Sequence, residues 1–210
     1  ICVAKIRERQ MPELFFDVET TGLPPRKANP ETFEQYDGCR VVSIAWVLRD
    51  DKTVYSQRYS VTDPGIPDEK IGAEFVHGIS REVMDKYGNK IRDVLVDFMK
   101  DVNNSDIVIA HNLEFDKSVL SAELFRMGLS DDARRLMNFK NLCTMKSTTN
   151  LVRINNSYGS YKWPKLEELY KFLFGYVFEN AHHAMCDVDA LVECYYRLVE
   201  KYSSSKKKKI

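Results

Sequence analysis

The 210-residue sequence carries no net charge, with 31 Lys and Arg against 31 Asp and Glu. The overall balance therefore announces no polyanion partner. It does not exclude a nucleic-acid enzyme, because a short single strand can be held by metal ions and a local patch. No run of about 18 apolar residues occurs, which argues against a membrane-spanning helix. No charged-then-apolar segment opens the chain, so a secretory signal is not expected. The five cysteines (Cys2, Cys39, Cys143, Cys186 and Cys194) are odd in number and form no CxxC pair. Scattered thiols of this kind suit a reducing cytoplasmic or nuclear compartment and not a disulfide framework. Internal repeats and sustained heptads are missing too, so no solenoid is expected and a homodimer is left open.

What is present reads as one soluble α/β domain. A content of 44% hydrophobic and 30% charged residues is ordinary for a globular chain, and the length suffices for one large domain with a full core. The domain is expected over residues 11–203. The closing "SSSKKKK" (residues 203–209) is low-complexity, so 204–210 are expected as a disordered basic tail, suited to a weak grip on nucleic acid or a nuclear address.

"MPELFFDVET" reads as a first strand, and "CRVVSIAWVLRD" and "KTVYSQRYS" as a hairpin closed by a tight turn at Asp50-Asp51. The Gly- and Pro-punctuated stretch from Thr21 to Gly38 should be loop. "IRDVLVDFMKDV" places Ile91, Val94, Leu95, Phe98 and Met99 on one helical face, and "DIVIAH" is a short buried strand. "EFDKSVLSAELFRMG" is helical up to Gly128, and a weak fifth strand falls near 138–145. "WPKLEELYKFLFG" has Pro164 near a helix start and Gly175 past its end, and a long amphipathic helix runs from Ala184 to Tyr202. Three strands followed by alternating helices and strands predict a mixed five-stranded sheet flanked by helices.

One feature of the first strand is costly. "FFDVETTG" puts Asp17 and Glu19 two residues apart, and strand alternation sends both to one face, where they repel and resist desolvation. Two further groups carry acids at or near the ends of core elements: "HNLEFD" with Asp116, and "HHAMCD" with His182 and Asp187. Clustered carboxylates with few thiols select hard divalent cations such as Mg²⁺ or Mn²⁺. Two such ions can clamp the attacking and leaving oxygens of an in-line phosphoryl displacement, and a nearby histidine can deprotonate the attacking water. Each piece has a plainer reading. Asn112 can cap a helix whose dipole favours Glu114 and Asp116, and His183 with Cys186 can begin a zinc site, although further paired ligands are missing.

Taken together and in this order, "FDVETTG", "HNLEFD" and "HHAMCD" resemble the three motifs of the DEDDh, or DnaQ-like, 3′–5′ exonucleases of the RNase H-like superfamily. "EFVHGIS" and "KWPKLEELYKFLFG" are similar to further segments of that family, so the likeness runs from about Leu14 to Leu198. The resemblance implies the RNase H-like fold and hydrolysis of terminal phosphodiesters of single-stranded DNA or RNA to nucleoside 5′-monophosphates. It implies two Mg²⁺ ions, with Mn²⁺ able to substitute. Asp17, Glu19 and Asp187 would hold the water-activating ion, Asp17 bridging to a second supported by Asp116. His182 would be the general base and His183 a spectator. Thr20, Thr21, Gly22, Leu23, His77 and Asn112 are the implied substrate contacts, while Phe115 and Trp163 read as core packing. Implied partners are single-stranded 3′ ends and a polymerase or other replication or repair protein. A binding module that kept the fold gains nothing from unneutralised carboxylates, and an endonuclease related to ribonuclease H shares the metal chemistry without the histidine.

Overall fold

A computed structural model describes residues 12–67 and 72–207. Six strands form one sheet: β1 (Glu13–Thr20), β2 (Val41–Arg49), β3 (Val54–Asp63), β4 (Asn89–Lys90), β5 (Ile107–Ala110) and β6 (Asn141–Cys143). Their spatial order is β4-β3-β2-β1-β5-β6. β1 and β2, and β2 and β3, pair antiparallel, while β5 runs parallel to β1 and β6 parallel to β5. The expected mixed α/β sheet is therefore present, with one strand more than the five expected. The addition is β4, two residues paired to Thr62 and Asp63, too short to show any alternation in sequence.

The helices are α1 (Glu74–His77), α2 (Arg81–Tyr87), α3 (Ile91–Asn103), α4 (Leu113–Arg126), α5 (Ser130–Asn138), α6 (Thr144–Val152), α7 (Leu166–Phe174) and α8 (Ala184–Lys207). β1 is buried on both faces and alternates between two cores. Leu14, Phe16 and Val18 join Phe98 of α3 and Leu120 and Leu124 of α4. Phe15 joins Ala184, Val188, Leu191 and Val192 of α8. The sheet is thus sandwiched between α3 and α4 on one side and α8 on the other. Glu13 anchors α8 at the far end of β1, where its carboxylate accepts from Tyr195 and Tyr196 hydroxyls at 3.2 and 2.7 Å.

Three details differ from the sequence expectation. The β2–β3 connection is a four-residue turn, 50–53, and not a two-residue one. Asp50 Oδ1 accepts the Lys52 and Thr53 N–H groups at 2.8 Å each, and this side-chain mimicry of a turn replaces the tighter alternative. Helices α2, α5 and α6 were not expected. α5 is mostly charged and buries only Ala133 and Leu136, and α6 is Thr-rich, so both are short and poor in apolar residues. α8 continues to Lys207, which carries helical backbone into the expected tail, while residues 208–210, Cys2 and the start of the expected first strand at Met11 lie outside the described residues. Gly128 and Gly175 take φ +73° and +86° after α4 and α7, the left-handed termination expected of them. No helix among the described residues is long and apolar enough to cross a membrane.

Candidate active site

The site begins where two parallel strands separate. β5 pairs with β1 only through Glu13, Leu14 and Phe15, so Asp17 to Thr20 have no β5 neighbour. A crevice opens at the C-terminal ends of these strands, where open α/β sheets bind ligands. Asp17 and Glu19 follow Phe15 in the alternation and therefore face α8. Asp187 lies in the first turn of α8, beside the buried Ala184 and Val188 that dock this helix on the same sheet face. Docking brings the three carboxylates together: oxygens of Asp17, Glu19 and Asp187 lie within 4.8 Å of one another.

Asp116, in the first turn of α4, stands beside this triplet. Its Oδ1 accepts the Val18 N–H at 3.3 Å, filling a position on the β1 edge that β5 no longer covers. All four acids line a cavity of about 580 Å³, within the ordinary size range of ligand sites.

The electrostatics are those of a site short of cations. Burial pushes Asp17 well above the usual carboxylate range, reinforced by Asp116, Asp187 and Glu19 in that order. Burial, then Asp187 and Asp116, raise Glu19 to about 8. Burial also raises Asp116 to about 8 against the relief of its backbone hydrogen bonds. Asp187, raised to about 6 by burial, is relieved by the His182 N–H, which donates to its Oδ2 at 3.0 Å. Carboxylates that burial and mutual repulsion push toward their protonated forms fit hard divalent ions. Among the described residues no His/Cys cluster forms beside them: the one three-residue group of potential ligands is Asp17, Glu19 and Asp187. A zinc site through His183 and Cys186 is therefore set aside.

The two adjacent histidines diverge. His182 adopts a left-handed backbone, φ +69°, and lines the cavity. His183 stacks on Tyr59 with ring centroids 4.7 Å apart and is not part of the lining. Ala73 and Asn112 share both the left-handed backbone and the cavity with His182, so three of the six non-glycine residues with positive φ among the described residues gather here. Clustered backbone strain of this kind is typical of functional sites.

Of the expected substrate contacts, Thr20, Gly22, Leu23, His77 and Asn112 line the cavity. Leu23 is 80% exposed and so does not close the core. Asn112 makes no side-chain cap to α4, which leaves its amide for the cavity and sets aside the capping alternative. His77 Nδ1 accepts the Ile79 N–H at 3.1 Å, which places the ring proton on Nε2, and Nε2 has no aligned partner. Burial lowers the His77 pKa against the opposing pull of the Gly72 and Thr20 backbone.

Thr21 is a correction. Its N–H donates to Arg40 O at 2.9 Å and its hydroxyl accepts the Arg40 N–H at 3.0 Å. Buried against that segment, it holds the turn and does not reach the cavity. Gly22 is needed there because a Cβ would stand 2.7 Å from Gly38 O.

Trp163 is a correction as well, while the expected core packing of Phe115 is present. Phe115 packs against the main core yet also lines the cavity, and Trp163 lines it while remaining 59% exposed. Met145 completes a part of the wall that no sequence motif pointed to, while His111 and Lys165, inside quoted motifs but given no role there, line it too.

A family model described as Exonuclease (RNase_T) matches residues 14–195. The PolC-type DNA polymerases III of Listeria monocytogenes and Listeria welshimeri are each 25% identical over 187 residues, covering 88% of this chain and 11% of those proteins. The chain thus spans about a tenth of the length of these curated relatives. Among solved structures, the zinc-bound Escherichia coli ExoI–ssDNA complex superposes with a TM-score of 0.67 at 18% identity, covering 92% of this chain and 41% of that one. The RNase domain of yeast Pop2 gives a TM-score of 0.64 at 15% identity, covering 91% and 78%. At these identities the two structures share the fold.

Proposed function

The chain belongs to the exonuclease family, and on that premise we propose that it is a divalent-metal-dependent 3′–5′ exonuclease acting on single-stranded nucleic acid. The observation that carries this reading is the convergence of Asp17, Glu19 and Asp187 within 4.8 Å at the end of β1. Asp116 and His182 on the same cavity wall support it. Asp17, Glu19 and Asp187 would hold one ion and Asp116 with Asp17 a second, Mg²⁺ being the hard cation that suits this donor set. When bound, the ions supply charge neutralisation and Lewis acidity to the scissile phosphate.

His182 accepts the proton of the attacking water as its oxygen bonds to the terminal phosphorus. The 3′-oxygen of the preceding nucleotide departs and takes a proton from solvent. The products are a nucleoside 5′-monophosphate and a strand shortened by one residue with a free 3′-hydroxyl. Asp187 orients the base, because its Oδ2 fixes the His182 backbone at 3.0 Å. The amide of Asn112, on the cavity wall, is a donor available to phosphate or sugar. The relatives named as DNA polymerases favour a polymerase or other replication or repair protein as partner.

The test is a 5′-labelled single strand incubated with Mg²⁺ and, separately, Mn²⁺. A ladder shortening from the 3′ end, abolished by chelator and absent on a circular strand, is the expected result. No shortening in either metal overturns the reading, and cleavage of the circle reassigns the chain to endonucleases.

A further inference from the structure

An indole exposed on the wall of a cavity offers an entering ligand a flat apolar face. Trp163 is 59% exposed, yet it is held firmly at the cavity wall. On its N-terminal side, the Lys162 N–H donates to Ile154 O at 2.8 Å. On its C-terminal side, Pro164 restricts the chain, and the Pro164 carbonyl accepts from His111 Nε2 at 2.9 Å. The other ring nitrogen of His111 meets the Thr144 hydroxyl at 3.0 Å, tying this segment to the first residue of α6. From the same first turn of α6, the Lys146 ammonium lies 5.6 Å from the centroid of the indole. Its own place is set by Glu114, 2.5 Å away.

A cation over one ring face, with backbone hydrogen bonds on both sides, orients an aromatic plane before any ligand arrives. We propose that Trp163 is a base-stacking platform for a nucleotide upstream of the one released, so that the site selects strands with unpaired bases and tolerates any sequence. Leu23 lies four residues beyond Glu19 on the β1 turn and serves the base beside the cleaved bond. Trp163 reaches the same cavity from the α6–α7 segment and takes a separate base. Stacking on an indole is available to every base through its π-face, whereas a duplex keeps its bases stacked on one another.

This inference rests on the exonuclease reading of the carboxylates, so its test includes a readout that needs no turnover. The chain has two tryptophans, and Trp46 is buried in the core, so emission that changes on adding a strand reports Trp163. A phosphorothioate oligothymidylate with Mg²⁺ should quench it saturably, and Trp163→Ala should show no quench. In turnover, Trp163→Ala should raise KM for oligonucleotides by roughly fivefold to a hundredfold. Its kcat, and its hydrolysis of the p-nitrophenyl ester of thymidine 5′-monophosphate, should stay within about twofold. Trp163→Phe should restore most of the lost affinity, and unchanged circular dichroism verifies folding.

An absent quench in the native chain, an unchanged KM in Trp163→Ala, or an equal loss on the ester and the oligonucleotide each overturns the platform. If the native chain hydrolyses neither substrate, the exonuclease reading falls, while the quench still decides the stacking.

Discussion

At the scale of single residues, the site is built from groups that the fold would be more stable without. Asp17 is held far above its usual ionisation by burial and by three neighbouring acids. An amide cannot ionise, so it spares folding the cost of keeping this carboxyl protonated, and it takes away a ligand of the proposed metal site. Asp17→Asn should lower exonuclease turnover by about a hundredfold or more and raise the metal-free melting temperature. Paired rate and thermal-denaturation measurements check both signs. His182→Ala should cost about 10²–10⁴ in kcat, which steady-state turnover measures. The acids and His182 were legible because each sits in a short motif of unusual charge. Thr21 was misplaced because a hydroxyl beside a motif looks the same whether it faces a cavity or the Arg40 backbone.

Elements place these residues. β1 parts from β5 after Phe15, and α4 and α8 begin at the gap, from opposite faces of the sheet. The turn after β1 is braced from behind by a buried ion pair. Arg40 Nε and Nη2 donate to the two oxygens of Glu123 on α4 at 2.5 and 3.1 Å, and both side chains are buried. Because Arg40 also bonds the Thr21 backbone, this pair couples α4 to the loop that follows the carboxylates. Glu123→Ala should cost about 3–5 kcal/mol in chemical denaturation, because it strands a buried guanidinium. An apolar replacement of both partners should recover much of that loss. Helices with a strong apolar stripe, such as α3, were readable from periodicity. α5 and α6 were not, since each is only nine residues long with few apolar positions, too short a run to stand out.

At the scale of the whole molecule, the acidic cavity links stability to pH and metal. Glu19 and Asp116 titrate near 8 and Asp187 near 6 in the folded chain, against ordinary values of 4.5 and 3.8. The folded state thus binds more protons than the unfolded one between about pH 4 and 8, and the resulting stability is lost as pH rises through that window. The metal-free melting temperature should fall across it. Added Mg²⁺ should raise that temperature at pH 8 and do little at pH 5, where protons occupy the site. A thermal scan over pH with and without chelator checks this, and equal metal effects at both pH values would contradict it.

The sequence by itself determined the layered α/β class, the strands β1, β2, β3 and β5, and the identity of the acids. Alternation and helical period record which faces are buried, and paired carboxylates in a core strand have few uses. Tertiary structure alone decided which groups meet. Asp17 and Asp187 are 170 positions apart in sequence, and only the docking of α8 on the Phe15 face brings them within 4.8 Å. The same holds for the cavity wall. Trp163 is 52 positions from His111 and 17 from Lys146, and its exposure is a property of the space between elements, which no local pattern encodes.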